Sequence, residues 1–514
     1  MAVKEFEFKG ISQTGQPAPG AIFVSSRQPV ARQSFRLPRP MAPGVGLAVL
    51  VGVYLVLTPT LNLLPQIQPY DAKRLFQVLI LLITGGWLLV SSVGRRVWLD
   101  TFSSLPVLAQ RGLLVLLGLG CVSSLFAPLP QFAFLEIGHL VLLFCLTVAF
   151  AGFSRRAPEV AQTVFLSGLT LSVFFYFVSF LVGYTYGVLD EPPSVWPERA
   201  YFGFSHVRFL NQVQTWTLPL IVLPAVVVPV RLRFIRWTLV ALASAWWMLL
   251  FATGGRGTSV AVGVAFLVVL VIFRRHAFSW LRLQSIALLS GAVLYGFFFK
   301  ILVSSNVSLL ERSLTNATGR WVFWERAWDL IAAHPLLGAG PMHYADSVTE
   351  LAAHPHNAVL QWAAEWGVPA AVFAVGLVGW GLLACFRGTR RTVEHPDQTT
   401  QQVWVRVAVT ASLVAAAVHA LFSGIIVMPL SQLLMAVIVG WAWGLCGSGE
   451  AARASKMGYR RLLCLVVGAT LAATVWGVAP SAFTLNEKQA AYIDKVQPDA
   501  LRPRFWQQGY ISYP

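Results

Sequence analysis

Acidic residues are scarce: 21 Asp and Glu stand against 38 Lys and Arg in 514 residues, and charged residues of both signs make up only 11% of the chain. Soluble globular proteins carry roughly 25%, so an ordinary water-soluble enzyme is excluded. Cysteine is scarce too. Cys121, Cys145, Cys385, Cys446 and Cys464 lie in or beside apolar stretches without metal-type spacing, which argues for inert packing positions and against a disulfide framework or a zinc site. The sequence lacks Asp-x-Asp, a Gly-x-x-x-x-Gly-Lys phosphate loop, Gly-x-Ser-x-Gly, His-Glu-x-x-His and Cys-x-x-Cys. Cytosolic nucleotide chemistry finds no support in it. Nor is there an internal repeat of the kind that marks many secondary transporters.

What the chain has is apolar length. Hydrophobic residues make up 56% of it, in runs near the roughly 20 residues that span a bilayer. Runs bounded by charge, Pro and Gly predict spans at 41–58, 75–93, 112–127, 131–153, 160–183, 209–230, 237–254, 258–273, 285–304, 367–386, 404–423, 430–447 and 462–480. The expected fold class is an all-α polytopic membrane protein with twelve or thirteen transmembrane helices. Residues 1–40 are polar and proline-rich with no apolar h-region, so they read as a flexible cytoplasmic tail and not a cleaved signal peptide. Residues 41–304 form spans one to nine, 305–366 a large outer loop, 367–480 the remaining spans, and 481–514 a C-terminal tail, outside with thirteen spans and inside with twelve.

The positive charge of +17 is topological. Nineteen Lys and Arg fall in the inner loops, from Arg95 and Arg96 to Arg460 and Arg461, whereas the short outer loops hold only Lys73, Arg74, Arg199, Arg208 and Arg256. That asymmetry sets the orientation by the positive-inside rule, and it leaves no basic face for nucleic acid. The few outer arginines become the informative ones.

Arg256 sits in the tight turn Thr253-Gly254-Gly255-Arg256-Gly257-Thr258 between two spans. Glycines let the backbone approach a ligand, the following helix N-terminus favours an anion, and Arg offers a planar fork matched to phosphate. The alternative is an interfacial Arg reaching for lipid headgroups. Arg320, opening the aromatic stretch Gly319-Arg320-Trp321-Val322-Phe323-Trp324, is either a second clamp or a headgroup anchor, and Arg312 is a weaker third. His356 stands at the mouth of a helix whose N-cap is Asn357, and imidazole is the side chain best poised to take a proton near neutral pH. His354, two residues away, is its decoy. Glu365 lies nine residues beyond His356, about 180° round a continuous helix, so it faces away and reads as a structural residue. Within the spans, Glu136 and His139 are spaced to pair with each other as a bundle tie, with a proton relay as the alternative, and His419 lies in another apolar run.

Taken together, Gly255-Arg256-Gly257, Gly319-Arg320-x-x-x-Trp324-x-x-Ala327, Pro335-x-x-Gly338-x-Gly340 and His356-Asn357-x-x-Leu360-x-x-x-x-Glu365-x-Gly367 resemble the O-antigen ligase and O-antigen polymerase superfamily of bacterial envelope glycosyltransferases. The specific motifs fall between about residues 250 and 370. The resemblance implies a GT-C-like fold in the bacterial inner membrane, a periplasmic loop capping a site open to the bilayer, and an undecaprenyl-pyrophosphate-linked glycan as donor. It places the essential histidine on His356 and the pyrophosphate-binding arginines on Arg256 and Arg320, and implies no cofactor and no metal. Arg199, Arg208, Asn211 and Gln212 are weak candidates. An outer loop of about 60 residues, with no large extra domain expected after the last span, argues against a protein O-oligosaccharyltransferase and favours a ligase acting on lipid A–core oligosaccharide, then a polymerase. A transporter is the competing class, supported by Glu136, His139 and His419.

Overall fold

The structure is a computed structural model of the chain and describes residues 42–61, 63–189, 203–301, 320–346, 352–447, 457–496 and 502–511. All regular elements among them are helices: α1 (Ala42–Thr60), α2 (Pro69–Val90), α3 (Ser92–Ser103), α4 (Val107–Leu125), α5 (Pro130–Arg156), α6 (Pro158–Leu189), α7 (Val207–Thr217), α8 (Leu223–Val227), α9 (Arg233–Ala252), α10 (Arg256–Phe273), α11 (Arg275–Gly296), α12 (Arg320–Ala333), α13 (Ala358–Trp366), α14 (Val368–Glu394), α15 (Thr400–His419), α16 (Pro429–Cys446), α17 (Met457–Ala482) and α18 (Leu485–Val496). Eleven helices among the described residues are long and apolar enough to cross a membrane. The chain is an all-α polytopic membrane protein.

The bundle is organised around α5, which packs against α16, α17, α2 and α3, while α9 lies along α11, α10 along α15 and α1 along α6. Between apolar helices in lipid, close approach depends on small residues. Gly440 and Gly444, one turn apart on α16, meet Thr147 and Ser154 of α5 so closely that a Cβ on Gly440 would sit 2.6 Å from the Thr147 carbonyl oxygen.

Two expectations change. The run 209–230, expected as one span, is broken: α7 ends at Thr217, residues 218–222 form tight turns, and only five residues of α8 follow. Pro219 and Pro224 cannot donate into a helical ladder and crowd the preceding turn. The Leu218 and Pro219 carbonyls accept instead from Gln284 Nε2 of α11, at 2.9 and 3.0 Å. Irregular backbone at membrane depth is tolerated where neighbouring protein satisfies it in this way. The stretch read as a C-terminal tail also departs from expectation. Leu485–Val496 is helical, and Phe505, Trp506 and Ile511 bury in one cluster with Val78 of α2, Leu135 of α5 and Met342, because these large apolar side chains have a core to enter.

Candidate active site

Three structural units converge on the predicted residues. The first is the Gly255-Arg256-Gly257 turn, where Gly255 precedes α10 and Arg256 is its first residue. A Cβ on Gly255 would lie 2.8 Å from Asn211 Nδ2, and one on Gly257 2.9 Å from His419 Nε2. These glycines therefore seat the turn against α7 and α15, where the sequence suggested that they admit a ligand. Polar bonds complete the seat: Thr258 Oγ1 donates to the Asn211 carbonyl (2.7 Å), Asn211 Nδ2 to Thr253 Oγ1 (2.8 Å), and Thr215 Oγ1 pairs with His419 Nδ1 (2.6 Å). Arg256 leaves this rigid corner half-buried.

The second unit is α12, opened by Arg320. Trp324 Nε1 donates to the Pro355 carbonyl at 3.1 Å, and the Phe323 ring lies 5.6 Å from that of His356. Tyr344 Oη donates to the Phe323 carbonyl at 2.8 Å, which ties α12 to the turn at His343–Ala345.

The third is the loop and helix of His356. Asn357 caps α13, its Oδ1 accepting from Val359 and Leu360 N–H at 3.0 Å each, and the Ala358 N–H donates to the Ala420 carbonyl at 2.8 Å. His356 itself has φ +54, a left-handed conformation that costs a non-glycine residue about 1–2 kcal/mol. Its N–H points at His354 Nδ1 (3.3 Å), and the two rings are 4.2 Å apart. His354 is buried, and its ring lies against Gly424, where a Cβ would stand 2.4 Å from it. The decoy is a wedge that holds its neighbour. The far end of α13 is closed by Ala339 and Gly340 N–H groups donating to the Ala364 and Glu365 carbonyls, at 2.8 and 3.0 Å. Gly338 (φ +69) makes that approach feasible, because a Cβ there would fall 2.4 Å from the Glu365 carbonyl carbon.

Electrostatically the site is a cationic cup around a neutral imidazole. Burial first, then Arg208, Arg320 and His206, push His356 down to about 3. Arg320 also lies within electrostatic reach of His419, which touches Gly257 beside Arg256. Arg208 and Arg320 thus lie within electrostatic reach of His356, while the turn that carries Arg256 meets His419 through Gly257. Arg199 and Arg312 lie outside the described residues. Asn357 is a cap, Asn211 a strut, and Gln212 donates to Ser423 Oγ at 3.1 Å while its buried Oε1 has no hydrogen-bond partner.

Glu365 enters an ion cluster that sequence reasoning missed. Arg504 Nη2 contacts Glu365 Oε2 at 2.6 Å and Glu136 Oε1 at 3.0 Å, with Arg504 and Glu365 almost fully buried. Burial raises Glu365 to about 7, against the pull of Arg504. Glu136 and His139 do not pair with each other: Glu136 takes Arg504, and His139 Nε2 meets Gln432 Oε1 (3.1 Å) and Arg74 Nη1 (3.3 Å), partners the bundle offers closer than the neighbour on the same helix. His206 too was missed, since nothing marked an isolated loop histidine as near the site.

A family model described as O-antigen ligase matches residues 237–375, from α9 into α14, and includes Arg256, Arg320 and His356. By this match residues 237–375 are similar to the O-antigen ligase family. The assignment supports a membrane glycosyltransferase of the ligase or polymerase type. No curated protein matches the chain. Arg208 and Arg504 fall outside the O-antigen ligase segment, although the fold delivers both to it.

Proposed function

We propose that the chain is an O-antigen ligase, transferring a glycan from undecaprenyl pyrophosphate to a sugar hydroxyl of lipid A–core oligosaccharide at the periplasmic face of the bacterial inner membrane, within a GT-C-like fold. What supports this reading is His356 held in a left-handed loop conformation, with Arg208 and Arg320 within electrostatic reach of it and the Gly255-Arg256-Gly257 turn seated on the neighbouring His419.

Undecaprenyl pyrophosphate is a good leaving group when cations offset the charge that develops on it. Arg256 and Arg320 supply that charge without a metal, and Arg208 adds to it. The acceptor hydroxyl oxygen attacks the anomeric carbon, the carbon–oxygen bond to pyrophosphate breaks, and His356 takes the hydroxyl proton. Direct displacement inverts the anomeric centre. The arginines that bind the donor also suppress the basicity of His356, so a bound pyrophosphate cancels part of their field and makes His356 a stronger base when a donor is in place. The deciding assay is glycan transfer by purified protein, with undecaprenyl-pyrophosphate glycan, lipid A–core and EDTA. Wild type and His354→Gln are expected to give product, with His356→Ala and Arg256→Ala at least 10²-fold slower. Lengthening of the lipid-linked glycan with lipid A–core ignored identifies a polymerase, and His356→Ala at the wild-type rate refutes the assignment of the base.

A further inference from the structure

Residues 502–511 carry none of the motifs that point to glycan transfer, yet they lie against the underside of the His356 loop. Their backbone is bonded to the bundle along its length: the Tyr70 hydroxyl donates to the Arg504 carbonyl (2.7 Å), Arg74 Nε to the Phe505 carbonyl (3.0 Å), and the Gln507 N–H to Asp71 Oδ1 (2.7 Å). The Ile511 N–H reaches the Ala345 carbonyl at 3.1 Å, in the turn that α12 grips. At Gly509 (φ +91) the segment passes beneath Ala353, where a Cβ would come within 3.1 Å of the Ala353 Cβ, one residue before His354. Arg504 then rises from this base to Glu365 at 2.6 Å and Glu136 at 3.0 Å.

Resting on the reaction proposed above, we propose that residues 502–511 form a clasp that sets the position of the His356 loop, with Arg504 a positioning residue that acts through Glu365. Helix α13 is a short rigid lever. Eight residues separate Asn357 at its cap from Glu365, about 12 Å at the helical rise, so movement of the Glu365 end is transmitted to the base. The other end is fixed by Ala358 to Ala420 and by Trp324 to Pro355. Arg504 is the cation that holds two carboxylates together, the buried Glu365 and the partly buried Glu136. Without it they must separate or take up a proton. Separation swings the lever.

The test has two arms, both on the full chain in detergent. Without any glycan, backbone hydrogen exchange of wild type is compared with Arg504→Gln and with the triple variant Arg504→Gln/Glu136→Gln/Glu365→Gln. In Arg504→Gln, exchange across residues 358–367 is expected to rise at least tenfold while that of α10 is unchanged, and the uncharged triple variant returns towards wild type. In the transfer assay, Arg504→Gln is expected to lose roughly 10²-fold in kcat, the scale of a small misplacement of a reacting group, with donor KM within about threefold. The triple variant is expected to recover most of that kcat. A wild-type kcat in Arg504→Gln, or equal losses in kcat and KM with exchange across 358–367 unchanged, overturns the clasp. If Arg504→Gln loosens every span alike, the triple variant decides: recovered kcat supports the clasp and unrecovered kcat overturns it. An exchange pattern as described, with no transfer by wild type, overturns the reaction and leaves the clasp standing.

Discussion

The depressed basicity of His356 is the most consequential number at the site. A drop from 6.5 to about 3 penalises the protonated imidazole by roughly 5 kcal/mol, at about 1.4 kcal/mol per pH unit. Burial is the largest cause, and Arg208, Arg320 and His206 divide the rest. A single nearby charge shifts a pKa by about 1–3, and Arg320 shares its task with two other groups, so Arg320→Gln should raise His356 by about one. The value then stays well below 6. The acid limb of kcat/KM against pH reports the base in the free enzyme. For wild type it should therefore show no inflection near 6.5, with activity holding from pH 7 down to pH 5 as far as His356 is concerned. Arg320→Gln should move the limb upward by about one pH unit, and donor KM should rise because a pyrophosphate contact is lost. The same shift has a stability counterpart. The folded pKa lies below the unfolded one, so the unfolded chain gains a proton first as pH falls through 6.5, and stability falls from there until about pH 3. A wild-type limb near 6.5, or one that Arg320→Gln does not move, refutes the cationic cup.

Other substitutions test single contacts. Gly257→Val places a side chain where a Cβ alone lies 2.9 Å from His419 Nε2 and 3.2 Å from Phe422, and should cost about 1–3 kcal/mol, read as a lower melting temperature of the purified protein together with lost activity. Gln284→Leu strips two buried carbonyls of their donor; a loss of about 1–3 kcal/mol is expected by the same melt, and an unchanged melt would mean the carbonyls find other partners. Asn357→Ala removes both cap bonds of α13 and should cost about 1 kcal/mol, with faster hydrogen exchange at Val359 and Leu360; Asn357→Asp should keep the cap.

The spans were legible because lipid demands long apolar runs, and composition alone reveals them. The break after Thr217 was not, since Leu218, Leu220, Ile221, Val222 and Leu223 carry the run straight across Pro219, and the residue that makes the break tolerable, Gln284, belongs to another helix. At the site, residue types were readable and their neighbours were not. The Gly-Arg-Gly turn announced itself, but the glycines answer to Asn211 and His419. Helical arithmetic turned Glu365 away from His356 without naming what it meets, the guanidinium of Arg504. Arg504 reaches Glu136 and Glu365 across 368 and 139 residues of chain, a distance over which sequence spacing carries no signal. His356 and His354 look alike in sequence. Sequence separated them only by the place of His356 beside Asn357; the backbone, with His356 at φ +54, adds which of the two is strained.

The interrupted segment after α7 also constrains the order of membrane insertion. The Leu218 carbonyl waits for a donor 66 residues further along the chain, so when α7 and α8 first emerge their freed carbonyls face an apolar medium with no partner. They must stay in a hydrated or protein-lined compartment until α11 has been synthesised and threaded alongside. The segment from Val207 to Gly296 is thus expected to enter the bilayer as one cooperative unit. A nascent chain arrested before Gln284 should leave α7 and α8 extractable at high pH, and one arrested well beyond it should hold them fast.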